Sequence, residues 1–155
     1  MPLSGRNGNL MKKHPILSVD LIIQDNQGKI LLGKISEKWR EGNKYLWGLP
    51  GREVSYGETL VQCVKRNLRE EIGMKMLSCK VVCINSNFGY GNHYITIGIL
   101  TKAKGSPINK QLDDWIEWKW FKRKDIPSKL FPSAKMTLKA FLKESNLLTS
   151  SKIKK

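Results

Sequence analysis

The apolar positions change period several times along the chain, and each change marks an element. Ile16 to Ile23 is a β-branched run, followed by the turn residues Asp25-Asn26-Gln27-Gly28 and a second apolar run, Lys29 to Lys34, which together predict a hairpin. Ser36 to Asn43 is a charged loop, and Tyr45 to Leu49 reads as a short strand ended by Pro50-Gly51. Glu58-Thr59 then opens a stretch with Leu60, Val61, Val64 and Leu68 at helical spacing, stopped by Gly73. Lys80 to Asn85 and Tyr94 to Leu100 predict strands around a glycine-rich tip, Gly89-Tyr90-Gly91-Asn92. Trp115 to Phe121 is a further strand with Trp118 and Trp120 on one face. After a turn at Asp125-Ile126-Pro127, Ser133 to Lys143 predicts an amphipathic helix. Strands, helix, strands, helix is the order of an α/β domain with helices packed on a mixed sheet. Residues 14–145 read as that domain, flanked by basic tails at 1–13 and 146–155, with Ser150 to Lys155 frayed.

Composition narrows the class. With 155 residues, 40% of them hydrophobic, and a mean hydropathy of −0.39, the chain has material for one packed core. No apolar run approaches the roughly 20 residues that span a bilayer, and the first fifteen residues hold no apolar segment of a secretory signal. Cys63, Cys79 and Cys83 form no CxxC pair and are odd in number, so they read as reduced thiols of a cytoplasmic protein with no membrane partner.

Charge changes the picture more. Lys and Arg number 28 against 13 Asp and Glu, a formal +15. Such a balance attracts polyanions and leaves weak non-specific nucleic acid binding as one expectation, a solvated lysine-rich surface as the other. Eleven of the basic residues and only two acids fall between Lys119 and Lys155. The acids gather instead at Glu53 to Glu71 and at Asp113 to Glu117, and carboxylates concentrated in so basic a chain suggest a metal.

The first acidic segment is the informative one. A glycine-bearing loop, Gly51-Arg-Glu-Val-Ser-Tyr-Gly-Glu58, leads into a helix ending Arg66-Asn-Leu-Arg-Glu-Glu71-Ile-Gly73-Met74. At helical spacing Asn67 and Glu71 share a face, and Arg66 stands four residues before Glu70, placed to orient it through a bidentate pair. Carboxylates on a rigid helix beside backbone carbonyls suit a hard dication such as Mg²⁺, which chelates pyrophosphate and activates water. A solvated helix carrying one ion pair is the alternative reading of the same residues.

The spacing resembles the Nudix box, G-x5-E-x7-R-E-U-x-E-E-x-G-U with U aliphatic. Glu58, Arg66, Leu68, Glu70, Glu71, Gly73 and Met74 fall on its fixed positions, with Leu49-Pro50-Gly51 before it and Trp118 to Phe121 then Asp125-Ile126-Pro127 after it. The resemblance implies an α/β/α Nudix sandwich with a mixed central sheet, and a hydrolase using Mg²⁺, or Mn²⁺, on a small nucleotide. Two positions depart from the pattern. Arg52 replaces the first glycine of the box, and Asn67 replaces the glutamate after the arginine. An amide takes no proton near neutral pH, so Asn67 is not a base, although its carbonyl oxygen can coordinate weakly.

The chain also resembles one branch lacking that glutamate, the GDP-mannose mannosyl hydrolases, through Pro15 to Asp20, Gly28 to Lys34, His93-Tyr94 and Gln111 to Asp114. That branch implies one Mg²⁺ held partly by Glu71 and a histidine base on the loop before the last strand. Here the loop offers Leu112 or Trp115 at that place, depending on the anchor, so a carboxylate base among Asp113, Asp114 and Glu117 is considered. The resulting site expectation comprises Gly51, Glu70 and Glu71 for metal, and Arg66, Glu70, Asp114 and Glu117 for catalysis. Asp20, Arg52, Tyr90 and His93 are expected to bind substrate. The expected reaction is hydrolysis of a nucleoside diphosphate linked to another moiety, a GDP-sugar first. A nucleoside triphosphate pyrophosphohydrolase and a catalytically weak nucleotide- or RNA-binding module are the alternatives, in a monomer or a homodimer.

Overall fold

In the computed structural model, residues 14–153 are described, and beyond residue 143 only the backbone path. The expected 1–13 tail and residues 154–155 lie outside the described part. Two three-stranded sheets form the centre. The first is mixed, in the order β1–β5–β4: β1 (Ile16–Ile23) runs parallel to β5 (Asn92–Lys104), which runs antiparallel to β4 (Lys75–Gly89). The second is antiparallel, with β2 (Ile30–Ile35) between β3 (Trp47–Gly48) and β6 (Trp115–Phe121). Helix α1 (Leu60–Asn67) and helix α2 (Pro132–Ile153) flank these layers.

The core explains the layering. β1 is buried on both faces, so alternation assigns each of its residues to one helix. Val19, Leu21 and Ile23 pack with Cys63, Val64 and Leu68 of the α1 segment, while Ile22 packs with Ala134, Leu138 and Phe141 of α2. Asp20, in phase with Ile22, therefore faces α2.

The hairpin predicted from β1 into β2 does not form. Its turn is present, with the Gln27 and Lys29 amides donating to Asp25 Oδ1, but only Gln24 and Ile30 bridge before the strands part into different sheets. The β4–β5 hairpin does form, and its strands are far longer than Lys80 to Asn85 and Tyr94 to Leu100. It turns on Tyr90 and Gly91, both at positive φ (52° and 73°), the geometry of the tight turns that match strand twist. Only Trp47 and Gly48 of the expected third strand pair. The helix of the acidic segment opens as expected: Thr59 and Gln62 exchange side-chain and backbone hydrogen bonds in a capping box. After Asn67 it widens into a π-turn, Leu68–Ile72, before Gly73 ends it in the left-handed region. Among the described residues no helix is long and apolar enough to cross a membrane.

Candidate active site

The site is built where the loop after β3 presses against β1. Leu21 N–H donates to Pro50 O (2.8 Å) and Val19 N–H to Arg52 O (3.0 Å), clamping the loop to the strand. A Cβ at Gly51, whose φ is 141°, would lie 1.9 Å from Val19 O, so only glycine allows this approach. The clamp aims the Gly51 N–H at Glu71 Oε1 (2.8 Å), and Trp115 Nε1 donates to Glu71 Oε2 (2.9 Å) from the start of β6. Glu71 is wholly buried. Burial pushes its carboxyl above the usual carboxylate range, against the Arg52 charge and these two donors.

Asn67, one turn earlier, is also wholly buried. Its Nδ2 donates to Cys63 O (2.7 Å), which turns Oδ1 the other way, where that oxygen accepts no hydrogen bond.

The Arg66 pairing expected from helical spacing is corrected. Its guanidinium makes a bidentate pair with Glu58 (2.6 and 3.0 Å) and donates to Glu53 O (3.0 Å), reaching Glu70 only at 3.5 Å. Arg66 thus ties the 53–58 loop to α1. The pair, above all, holds the Glu58 carboxyl down to about 2. Glu70, its side chain 43% exposed, is left with the single long contact to Arg66.

The loop before β6 supplies a second, partly buried pair. Arg52, whose side chain is 5% exposed, donates from Nη2 to Asp114 Oδ2 (2.7 Å), and Asp114 Oδ1 accepts from Trp39 Nε1 (2.9 Å). Both oxygens of this candidate base are therefore already engaged. Glu117 is exposed and sits opposite Lys34 on β6, and Asp113 is exposed too. Neither lines the cavity described next.

That cavity opens beside Gly51 and is lined by Asp20, Arg52, Tyr90, Thr96, Phe131 and Ser133, among others. Tyr90 stacks on Phe131 (5.0 Å between centroids) and donates its hydroxyl to Trp39 O, and burial keeps the phenol protonated. Asp20 accepts from Thr137 Oγ1 (3.2 Å) and from Ser133. Burial pushes its carboxyl up to about 7, with the Glu71 charge adding to the rise. Of the four substrate-binding candidates, Asp20, Arg52 and Tyr90 meet here. His93 is not among the lining residues: its Nε2 pairs with Ser86 Oγ (2.7 Å) and its ring stacks on Phe88. Glu58, Ser133 and Thr137 went unread as parts of this site in the sequence, and so did Trp115 as a partner of Glu71. Only Glu58 had a signal, its fixed place in the box.

Among the described residues, no three His, Cys, Asp or Glu side chains stand together as a ready metal cluster. Mg²⁺ does not need one, because it is commonly held by one or two carboxylates together with waters and substrate phosphates. Glu71 and the buried, unbonded Asn67 Oδ1, one helical turn apart, offer hard-oxygen donors of the kind one dication takes, with the exposed Glu70 the adjacent carboxylate.

A family model described as the NUDIX domain matches residues 14–141. The chain belongs to the Nudix family. Nudix hydrolases act on small nucleotide substrates and generally use divalent ions, commonly Mg²⁺. Two relatives match over most of this Nudix chain. An ADP-ribose pyrophosphatase of Methanocaldococcus jannaschii is 31% identical over 137 residues, 86% of this chain and 76% of that protein. An 8-oxo-dGTP diphosphatase of Buchnera aphidicola subsp. Schizaphis graminum is 30% identical over 125 residues, 78% and 87% of the two chains. The crystal structure of a MutT Nudix hydrolase from Burkholderia pseudomallei superposes with a TM-score of 0.73 at 25% identity, covering 83% of this chain and 98% of that one. The Nudix domain of Shewanella oneidensis NrtR, complexed with ADP ribose, shares the fold at 19% identity (TM-score 0.67, covering 93% and 99%). These matches support the enzyme family and lend nothing to the GDP-mannose branch.

Proposed function

We propose that this Nudix hydrolase cleaves the diphosphate linkage of a nucleoside diphosphate joined to a second moiety. The observation that carries the reading is the fixing of Glu71 by Gly51 and Trp115 beside a cavity with a stacked aromatic wall and a buried carboxyl. Glu71, Glu70 and Asn67 Oδ1 would hold a divalent ion, which would polarise a phosphoryl oxygen and make a bound water more acidic. Tyr90 and Phe131 give an apolar surface to the nucleoside, while Asp20 and Ser133 meet its polar edge. Glu70 does not line the cavity, but it adjoins Glu71 and has the least engaged oxygens on the box segment, so we assign it the proton of the attacking water, taken on the oxygen not given to the ion. The water oxygen joins one phosphorus, the bridging P–O bond breaks, and a nucleoside monophosphate leaves with the phosphorylated second moiety. The ADP-ribose pyrophosphatase relative supports this substrate class, to which GDP-sugars also belong, while the 8-oxo-dGTP diphosphatase relative supports a nucleoside triphosphate as the second reading. Attack at the sugar carbon is disfavoured because Trp115, at the start of β6, is a donor only, and neither histidine lines the cavity.

The test is a panel of ADP-ribose, GDP-mannose, other nucleotide sugars and triphosphates with Mg²⁺ or Mn²⁺, with products identified by mass. Nucleoside monophosphate from a diphosphate-linked substrate supports the reading. Inorganic pyrophosphate from triphosphates alone, or GDP plus free sugar, contradicts it. Glu70→Gln is expected to lower kcat by about 10²–10⁴-fold, the range for a lost general base.

A further inference from the structure

Arg52 brings a buried cation to a place where the box pattern has a glycine, one residue from the amide that holds Glu71. The preceding amide, Gly51 N–H, bonds Glu71 Oε1 at 2.8 Å, so the backbone carries Arg52 past that carboxylate. A guanidinium that is 5% exposed must be paired, since an unpaired buried charge is strongly unfavourable. Asp114 is the carboxylate bonded to it, and Glu71, held by the adjacent Gly51 amide and by Trp115, next to Asp114, is the neighbouring one. Asp114 takes it at 2.7 Å and is itself held by the Trp39 indole. The loop carrying Asp114 is rigidly set: the Asp114 and Trp115 amides donate to Gln111 O, the Ser36 amide donates to Asp114 O, and the Ser36 hydroxyl donates to Asp113 O. Consecutive residues of one loop thus hold the guanidinium through Asp114 and the carboxylate through Trp115.

We propose that Asp114 is a positioning residue: it holds the Arg52 guanidinium away from Glu71 and so leaves the lone pairs of that carboxylate not used by the Gly51 and Trp115 donors to a divalent cation. The inference rests on the metal reading above. Without the Asp114 charge, Arg52 pairs with Glu71 and excludes the ion. Asp114 therefore acts on the metal without touching it, and its effect exists only because residue 52 is charged.

The test is Mn²⁺ binding followed by the electron paramagnetic resonance signal of the free ion, on the full chain, with thermal unfolding as a check of folding. Asp114→Asn is expected to weaken Mn²⁺ binding by about tenfold or more, within the range of coupling between contacting charged groups. Adding Arg52→Gln is expected to restore affinity to near the wild-type value, a rescue that a merely structural role for Asp114 does not produce. Should Asp114→Asn fail to fold, Trp39→Phe, which removes the donor to Asp114 Oδ1, is expected to give a smaller loss with the same rescue. Unchanged affinity in the folded single variant, or a loss that Arg52→Gln leaves in place, overturns the proposal. Glu71→Gln binding Mn²⁺ as well as wild type overturns the metal reading itself, and this inference with it.

Discussion

Glu58 and Glu71 are the same residue type at two fixed positions of one motif, and the fold puts them in opposite surroundings. Glu58 lies against the Arg66 guanidinium, which holds its carboxyl down to about 2. Among the described residues no side-chain cation bonds Glu71; burial raises its carboxyl, and a backbone amide and an indole hold its two oxygens. The first glutamate has its charge satisfied inside the protein and serves the fold. The second keeps a carboxyl whose ionised form gains from a cation brought from outside. Motif spacing treats the two alike, and the partner each one meets divides their roles.

The largest effect is expected from Glu71→Gln, which nearly preserves shape and removes the charge. Turnover should fall by more than the roughly 10–100-fold typical of losing a residue that only supports a metal ligand. Steady-state kinetics at saturating Mg²⁺ checks this, and retention of full activity contradicts the division of roles. Asn67→Glu sharpens the comparison from the other side by adding a carboxylate beside the unbonded position. Mn²⁺ affinity should rise, and kcat should change by about tenfold or more if the new group accepts a proton. Isothermal titration and kinetics at matched metal concentrations read the two effects separately.

Glu58→Gln should cost about 1.5–3 kcal/mol of stability, the range for hydrogen bonds to charged groups, with metal affinity kept. Its pH dependence has a definite sign. The folded carboxyl is depressed to about 2 from 4.5, so wild type holds this stabilisation above pH 4.5 and loses it as pH falls toward 2. Glu58→Gln should flatten that acid limb in urea unfolding curves.

Asp20 behaves in the reverse way. Its folded carboxyl is raised from 3.8 to about 7, so the folded state binds the extra proton and stability declines as pH rises between those values. Asp20→Asn should remove the decline and leave a protein more stable than wild type above pH 7, as melting temperatures across that window will read.

How much of this was legible in the sequence follows from the range of each contact. The boundaries of β1 and β6, the cap at Thr59 and the stop at Gly73 rest on local periodicity and capping chemistry, and all were readable. The extent of β4 was not: bulges near Met76 and Val81 break its alternation, and much of the strand is exposed. The β1–β2 hairpin was misread because the turn chemistry is real, yet β5, from far along the chain, takes the edge of β1. In the site, helical spacing favoured Glu70 as the partner of Arg66, and the 53–58 loop folding back brought Glu58 instead. The bonds of Glu71 to Gly51 and Trp115 span 20 and 44 residues, and that of Arg52 to Asp114 spans 62. No short-range pattern encodes such pairs. The box helix was therefore readable, and the partners that divide its glutamates were not.

The most direct measurement is Mn²⁺ binding to Glu71→Gln and Glu58→Gln side by side, each folded at the temperature used. The account predicts that Glu71→Gln loses most of its affinity while Glu58→Gln binds as wild type does. Equal losses in the two variants, or a Glu71→Gln protein that binds Mn²⁺ normally, would contradict it.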